Sequence, residues 1–174
     1  MRIQVVVLAV FFFSSSLISC GHDEDEDEVG SSAVVPVEEC ASALKWTGGN
    51  AESPLMHPGG DCIACHAKEG DGPNYEVAGT VYQALAESTD CYGLEGITVE
   101  LTDAEGTVHT MTTNASGNFF AKSGKSSIVM PYTARLVMGD KEAKMVTPQS
   151  IANCAECHTA KGAAGASGRI VWPH

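Results

Sequence analysis

Alternating apolar and polar residues mark the middle of the chain, from residue 75 to residue 146. Short runs rich in β-branched and aromatic side chains are separated by turn residues at intervals of about 8–12 positions, which is typical of an all-β sandwich. We therefore predict a mainly β fold, a small antiparallel β-sandwich with short helical or irregular flanks. The expected strands are residues 77–85, 97–101, 108–112, 119 onward, 132–138 and 142–146.

The segments on either side of this region lack the alternation. Residues 37–46 and 150–159 each predict a short helix, whereas the glycine-rich residues 162–168 predict a loop.

The N-terminal region has the pattern of an export signal. Arg2 precedes an apolar stretch over residues 3–13, which is too short to span a bilayer, since about 20 apolar residues are needed. We predict a secretory signal over residues 1–19, with a short membrane anchor as the alternative. Six consecutive carboxylates at residues 23–28 repel one another, so residues 20–36 are expected to form a solvated tether.

The residues around the first cysteine indicate where the exported chain is anchored. Leu17-Ile18-Ser19-Cys20 resembles the lipobox of bacterial lipoproteins. The resemblance implies cleavage before Cys20 and acylation of its thiol, which would anchor the chain to a membrane. Gly21 is not the aspartate of an inner-membrane retention signal, and the acidic run resembles surface-export signals. We therefore expect an exported lipoprotein, at the outer membrane rather than the inner one.

Composition narrows the classes of partner and cofactor. The chain has 10 Lys and Arg against 22 Asp and Glu, and its net charge of −12 argues against non-specific binding to nucleic acid. Its 7 cysteines are many for a cytosolic protein, and an odd number does not suit a set of disulfides alone. The cysteines therefore have to be assigned one by one.

Two pentapeptides account for four of them. Residues 62–66 and 154–158 both have the sequence Cys-x-x-Cys-His, the attachment signature of c-type haem. Two thiols three residues apart reach the two vinyl groups on one porphyrin edge, and the adjacent His coordinates the iron. From 7 Cys and 6 His in 174 residues, about 0.01 such motifs are expected by chance. We predict two covalently bound haems, held by Cys62, Cys65 and His66 and by Cys154, Cys157 and His158.

The alternative uses of a Cys-x-x-Cys pair are a structural zinc site and a redox-active dithiol. Neither needs a His directly after each second cysteine. Haem c is attached only after export, which the predicted signal provides. The paired motifs resemble those of bacterial dihaem cytochromes c.

Two cysteines outside the motifs and one arginine are also assigned from the sequence. Cys40 and Cys91 are expected to form a disulfide, because two thiols in an oxidising compartment pair by default; unpaired buried thiols are the alternative. Arg169 is interpreted as a surface residue, with a haem propionate as the alternative partner.

The distal iron ligands are left open by the sequence. A Met followed by a Pro precedes each motif, so a proline-directed turn could return the Met sulfur to the iron. The candidates are Met56 or His57 for the first iron and Met145 for the second, ahead of His109 and His174. Ordinary core packing of the methionines is the alternative.

The β-rich region has a resemblance of its own. Between Gly96 and Phe119 the pattern Gly-x-Thr-Val-x-Leu-Thr-Asp, followed by Gly-x-Phe, resembles transthyretin-like or carboxypeptidase-regulatory-like sandwiches. The resemblance implies a structural module without catalysis. The predicted organisation is a signal peptide (1–19), a lipid-anchored acidic tether (20–36), a first haem segment (37–74), the β-sandwich (75–147) and a second haem segment (148–174).

These features favour a lipid-anchored dihaem cytochrome, which carries single electrons between periplasmic or membrane redox partners and is not an enzyme. Its acidic surface favours partner proteins with basic docking surfaces. The alternative is a haem-based peroxidase or ligand sensor with one open iron site. A surface adhesin, which rests on the sandwich alone, comes third.

Overall fold

The computed structural model describes residues 40–48, 52–70, 72–124 and 127–173. The predicted signal peptide, the lipidation site at Cys20 and the acidic tether lie outside these residues. Within the described ranges, no helix has the length and apolar character needed to cross a membrane.

The described residues form seven strands and two short helices. In chain order they are α1 (Cys62–Glu69), β1 (Tyr75–Tyr82), β2 (Thr98–Thr102), β3 (Val108–Thr112), β4 (Asn118–Lys122), β5 (Thr133–Met138), β6 (Lys141–Lys144), α2 (Cys154–Cys157) and β7 (Ile170–Val171). A three-stranded sheet has the order β4-β1-β7, and a four-stranded sheet has the order β3-β2-β5-β6. The strand pairs are antiparallel except for β1 with β7, which is parallel.

Buried side chains from both sheets pack into one core. Val77 and Val81 of β1, and Val99 and Leu101 of β2, are each at most 2% exposed and belong to the same cluster. Val77 and Val81 are four positions apart and Val99 and Leu101 are two positions apart, so the residues of each pair lie on one face of their sheet. The prediction of a small mainly β fold is confirmed.

The N-terminal described segment is not the helix that its sequence predicts. The backbone N–H of Ala41 donates to the Glu87 carboxylate at 2.7 Å, and Lys45 forms a β-bridge with Cys91. Contacts with a distant part of the chain thus replace local helical hydrogen bonds, so the prediction is wrong for residues 40–46. The helix predicted over residues 150–159 is shortened to α2.

Cys40 and Cys91 form the predicted disulfide, with their Cα atoms 5.4 Å apart. The bond ties the N-terminal described segment to the loop that follows β1. A structural disulfide indicates an oxidising environment outside the cytoplasm.

Candidate functional site

The first Cys-x-x-Cys-His motif forms most of α1. Asp61 caps the helix, and its carboxylate accepts a hydrogen bond from the backbone N–H of Ala64 at 2.8 Å. Gly70 ends the helix in the left-handed conformation, at φ 74°. Because Cys62 and Cys65 are three residues apart on this helix, their side chains lie on the same side of it.

The second motif begins in the same way on a shorter helix. Asn153 caps α2, and its side-chain oxygen accepts a hydrogen bond from the N–H of Ala155 at 3.2 Å. Asn153 is 5% exposed and pairs with Ala78 of β1 in a parallel β-bridge. The start of the second motif is therefore fixed to the central strand of the three-stranded sheet.

The histidines of the two motifs have matching hydrogen bonds. The Nδ1 atom of His66 lies 2.9 Å from the carbonyl oxygen of Pro73, and that of His158 lies 3.0 Å from the carbonyl oxygen of Gly168. Since a carbonyl oxygen only accepts, Nδ1 carries the proton in both rings, and the lone pair lies on Nε2. Neither Nε2 atom has a hydrogen-bond partner among the described residues. Both rings are thus held in the tautomer that can bind a metal through Nε2.

Two glycines allow close contacts at the motifs, one beside the His66 ring and one between β1 and Cys154. A Cβ at Gly72 would collide with the His66 ring, and a Cβ at Gly79 would lie 2.9 Å from the Cys154 Cβ. Gly79 is in the middle of β1, so the missing side chain lets α2 lie directly against the strand.

The same strand supports the approach to the first motif. The backbone N–H of Gly59, three residues before Cys62, donates to the Thr80 hydroxyl at 2.8 Å. The two motifs, distant in sequence, therefore meet around residues 79–80 of β1. Between them lies a small cleft with a cavity volume of about 10 Å³, which is room for about one water molecule. It is lined by Gly59, Gly60, Gly79, Thr80, Tyr82, Cys154, Ala155, His158, Arg169 and Ile170.

Burial keeps two of the thiols at this site, Cys62 and Cys154, in the neutral form. Cys62, Cys154 and Cys157 are free thiols, whereas Cys65 is disulfide-bonded. Burial, with a smaller contribution from the negative charge of Asp61, raises the pKa of Cys62 to about 11. Burial also raises the pKa of Cys154 to about 12, although a hydrogen bond with the Tyr132 hydroxyl acts in the opposite direction. Such thiols differ from those of reactive dithiols, whose pKa values are lowered.

The motif side chains do not converge on a common point as zinc ligands do. Among the described residues, ligand atoms of three or more His, Cys, Asp or Glu side chains lie within 4.8 Å of one another at one place, Cys40, Glu87 and Cys91. Two of these atoms are the disulfide sulfurs. Each motif therefore has its own donor set.

The candidate distal ligands lie in different surroundings. His57 is close to the first motif, with Nδ1 3.0 Å from the Asp90 carboxylate and its ring centroid 4.8 Å from that of Trp46. The adjacent Met56 is half-buried. The choice between these two ligands stays a prediction.

At the second motif, the side chain of Met145 packs against the sandwich core. Its backbone N–H donates to the carbonyl of Ala134 at 2.9 Å, which continues the pairing of β6 with β5. Its role as an iron ligand also stays a prediction. His109 is hydrogen-bonded to Asp103 at 2.9 Å, and His174 lies outside the described residues.

Arg169 is buried, at 5% exposure, so its interpretation as a surface residue is wrong. Its guanidinium group donates to the carbonyls of Gly59 (3.0 Å) and Glu87 (2.8 Å) and to the Thr89 hydroxyl (2.9 Å). The signal that could have placed it inside is the β-branched pair directly after it, which forms β7. The two helix caps, Asp61 and Asn153, could also have been found from the sequence, because Asp and Asn are preferred at the N-terminus of a helix.

Comparison with protein-family models, curated proteins and solved structures finds no match to this chain.

Proposed function

We propose that this chain is a dihaem c-type cytochrome, anchored by lipid at Cys20, that carries single electrons between redox partners. The observation that supports this most directly is the shared orientation of His66 and His158, each with Nδ1 on a backbone carbonyl. A hydrogen bond from the ring nitrogen that does not bind the metal to a backbone carbonyl is typical of metal-ligating histidines. Two motifs with the same orientation argue for two equivalent sites.

The donor groups also suit covalent haem. Cys154, Cys157 and His158 would hold one haem as they stand. Cys62, Cys65 and His66 would hold the other, which requires Cys65 as a thiol in place of its disulfide. When bound, haem supplies one-electron chemistry through its iron. The chain's own residues present the thiols, orient the imidazoles and bring the two sites to a common strand.

The disulfide and the sequence support a location and a class of partner. The oxidising environment indicated by the disulfide is compatible with export, and the Cys20 lipid would place the protein at the outer membrane. With a net charge of −12, the protein attracts partners with basic docking surfaces, and this association weakens as salt is added.

The test is a count of covalent haems on the full-length chain, made in a host that attaches haem c. The wild-type protein is expected to carry two haems by pyridine haemochrome assay. Each of the C62S/C65S and C154S/C157S variants is expected to carry one. The matched control is C40S/C91S, which also loses two cysteines but keeps both haems. Absence of covalent haem from the wild-type protein would overturn the proposal.

Magnetic circular dichroism then separates electron transfer from the alternative activity. Low-spin signals from both haems support a carrier, and a near-infrared charge-transfer band identifies Met56 or Met145 as a ligand. Low-spin signals without that band shift the assignment to His57 and another His. A five-coordinate, high-spin haem that binds CO or peroxide would contradict the carrier and favour a peroxidase or sensor.

A further inference from the structure

Arg169 connects three parts of the chain that meet at the two motifs. One terminal nitrogen, Nη1, donates to the carbonyl of Gly59 at 3.0 Å and contacts that of His158 at 3.4 Å. The other nitrogens bind Glu87 and Thr89 in the loop after β1. A single guanidinium group therefore bridges the approach to the first motif and the metal-binding residue of the second.

The residue is fixed by its surroundings. Its guanidinium carbon lies 5.3 Å from the centroid of the Tyr82 ring, which is fully buried. Its backbone N–H donates to the carbonyl of Leu85 at 2.9 Å. The planar fork of an arginine is suited to several fixed acceptors at once, whereas lysine has a single ammonium group.

Arg169 and its neighbour also hold His158 at two points. The carbonyl of Gly168 accepts from Nδ1 of the His158 ring, while Arg169 contacts the His158 backbone carbonyl. Displacement of Arg169 would therefore disturb both the ring and the backbone of the second metal-binding histidine.

We propose that Arg169 is a positioning residue shared by the two motifs, and that its positive charge raises the reduction potentials of both redox centres. This inference rests on the proposed function. A fixed positive charge near an iron favours the reduced state, because reduction removes positive charge from the metal. The effect is expected to be larger at the second centre, whose histidine the guanidinium touches.

The experiment is a potentiometric titration of the full-length, haem-loaded protein. R169Q, and R169M as a second neutral variant that preserves packing on Tyr82, are expected to lower both midpoint potentials. The C62S/C65S and C154S/C157S backgrounds assign each midpoint to its motif. R169K keeps the charge and should retain midpoints close to wild type, although fewer hydrogen bonds lower its urea midpoint. The control is R135Q, because Arg135 is exposed and binds Glu100 and Glu142 on the other sheet.

Two results would overturn the inference. One is unchanged midpoints in the neutral variants when both haems are attached, which leaves the proposed function intact. The other is an equal decrease of the midpoint potentials in R169K and R169Q. This result would show that the position of the arginine side chain, and not its charge, sets the potentials. Absence of haem from the wild-type protein would instead overturn the proposed function itself. The haem count separates this outcome from the two results above.

Discussion

Asp103 organises the turn between β2 and β3 through three acceptor contacts. One carboxylate oxygen accepts from the backbone N–H groups of Glu105 (3.0 Å) and Thr107 (2.9 Å), and the other lies 2.9 Å from Nε2 of His109. The hydrogen bond with His109 is the main cause that holds the pKa of Asp103 below its ordinary value of 3.8; burial opposes this shift, and the backbone donors add to it.

We expect Asp103→Asn to destabilise the protein at neutral pH and to have progressively less effect in acid. Because the folded-state pKa is depressed, the ionised carboxylate adds stability above pH 3.8, and this stability is lost as the pH falls through the folded-state value. Urea unfolding of wild type and D103N between pH 7 and pH 2 measures the difference. The control is D140N, in the exposed β5–β6 turn. A difference that stays constant across this range would contradict the role assigned to the carboxylate.

At the scale of single residues, the motif side chains are predictable because cysteine and histidine have recognisable chemistry at a fixed spacing. Their supports are not predictable in this way. The Nδ1 partners are backbone carbonyls, of Pro73 and Gly168, and every residue has a carbonyl. Only the folded chain determines which of them reaches the ring.

At the scale of elements, β1 supports both motifs, and α2 lies directly against it at Gly79. A Cβ at this position would lie 2.7 Å from the Phe119 ring and 2.9 Å from the Cys154 Cβ. Phe119 belongs to the core and Cys154 packs against it, so the space that a side chain at this position would need is already filled.

Gly79→Ala is therefore expected to lower the free energy of unfolding by about 1–3 kcal/mol, the usual cost of overpacking. Urea denaturation measures this change. Thr110→Ala is a suitable control, because Thr110 is exposed on β3 and such substitutions change stability by less than about 0.5 kcal/mol. An equal effect of the two substitutions would show that α2 does not need the space at Gly79.

The strands differ in how well the sequence predicts them. β3 has the predicted limits, 108–112, because its flanking turns are clear, whereas β1 starts at Tyr75 rather than at residue 77. The sequence does not predict the two-residue strand β7, since this strand is too short to show alternation and pairs with the edge of β1. Its pairing joins the predicted second haem segment to the sandwich.

At the scale of the whole molecule, the disulfide limits how far the unfolded chain can expand. It joins residues 51 positions apart, and closure of a loop of this length contributes about 4 kcal/mol in the chain-entropy model. We expect C40S/C91S to lose a stability of this order, measured by urea unfolding. The control is reduction of both proteins, after which wild type and C40S/C91S should have the same midpoint, because Cys65 is also disulfide-bonded. Coinciding curves for the oxidised wild-type protein and C40S/C91S would contradict the expected contribution.

The partial burial of the Cys62 and Cys154 thiols bears on the order of events during biogenesis. Both cysteines are partly buried in the folded chain, and their high pKa values leave few thiolates. Under the proposed function, haem attachment therefore competes with folding. The haem has to be attached to Cys62 and Cys154 before the chain folds around them. Slower folding would widen this window and increase the yield of the mature protein.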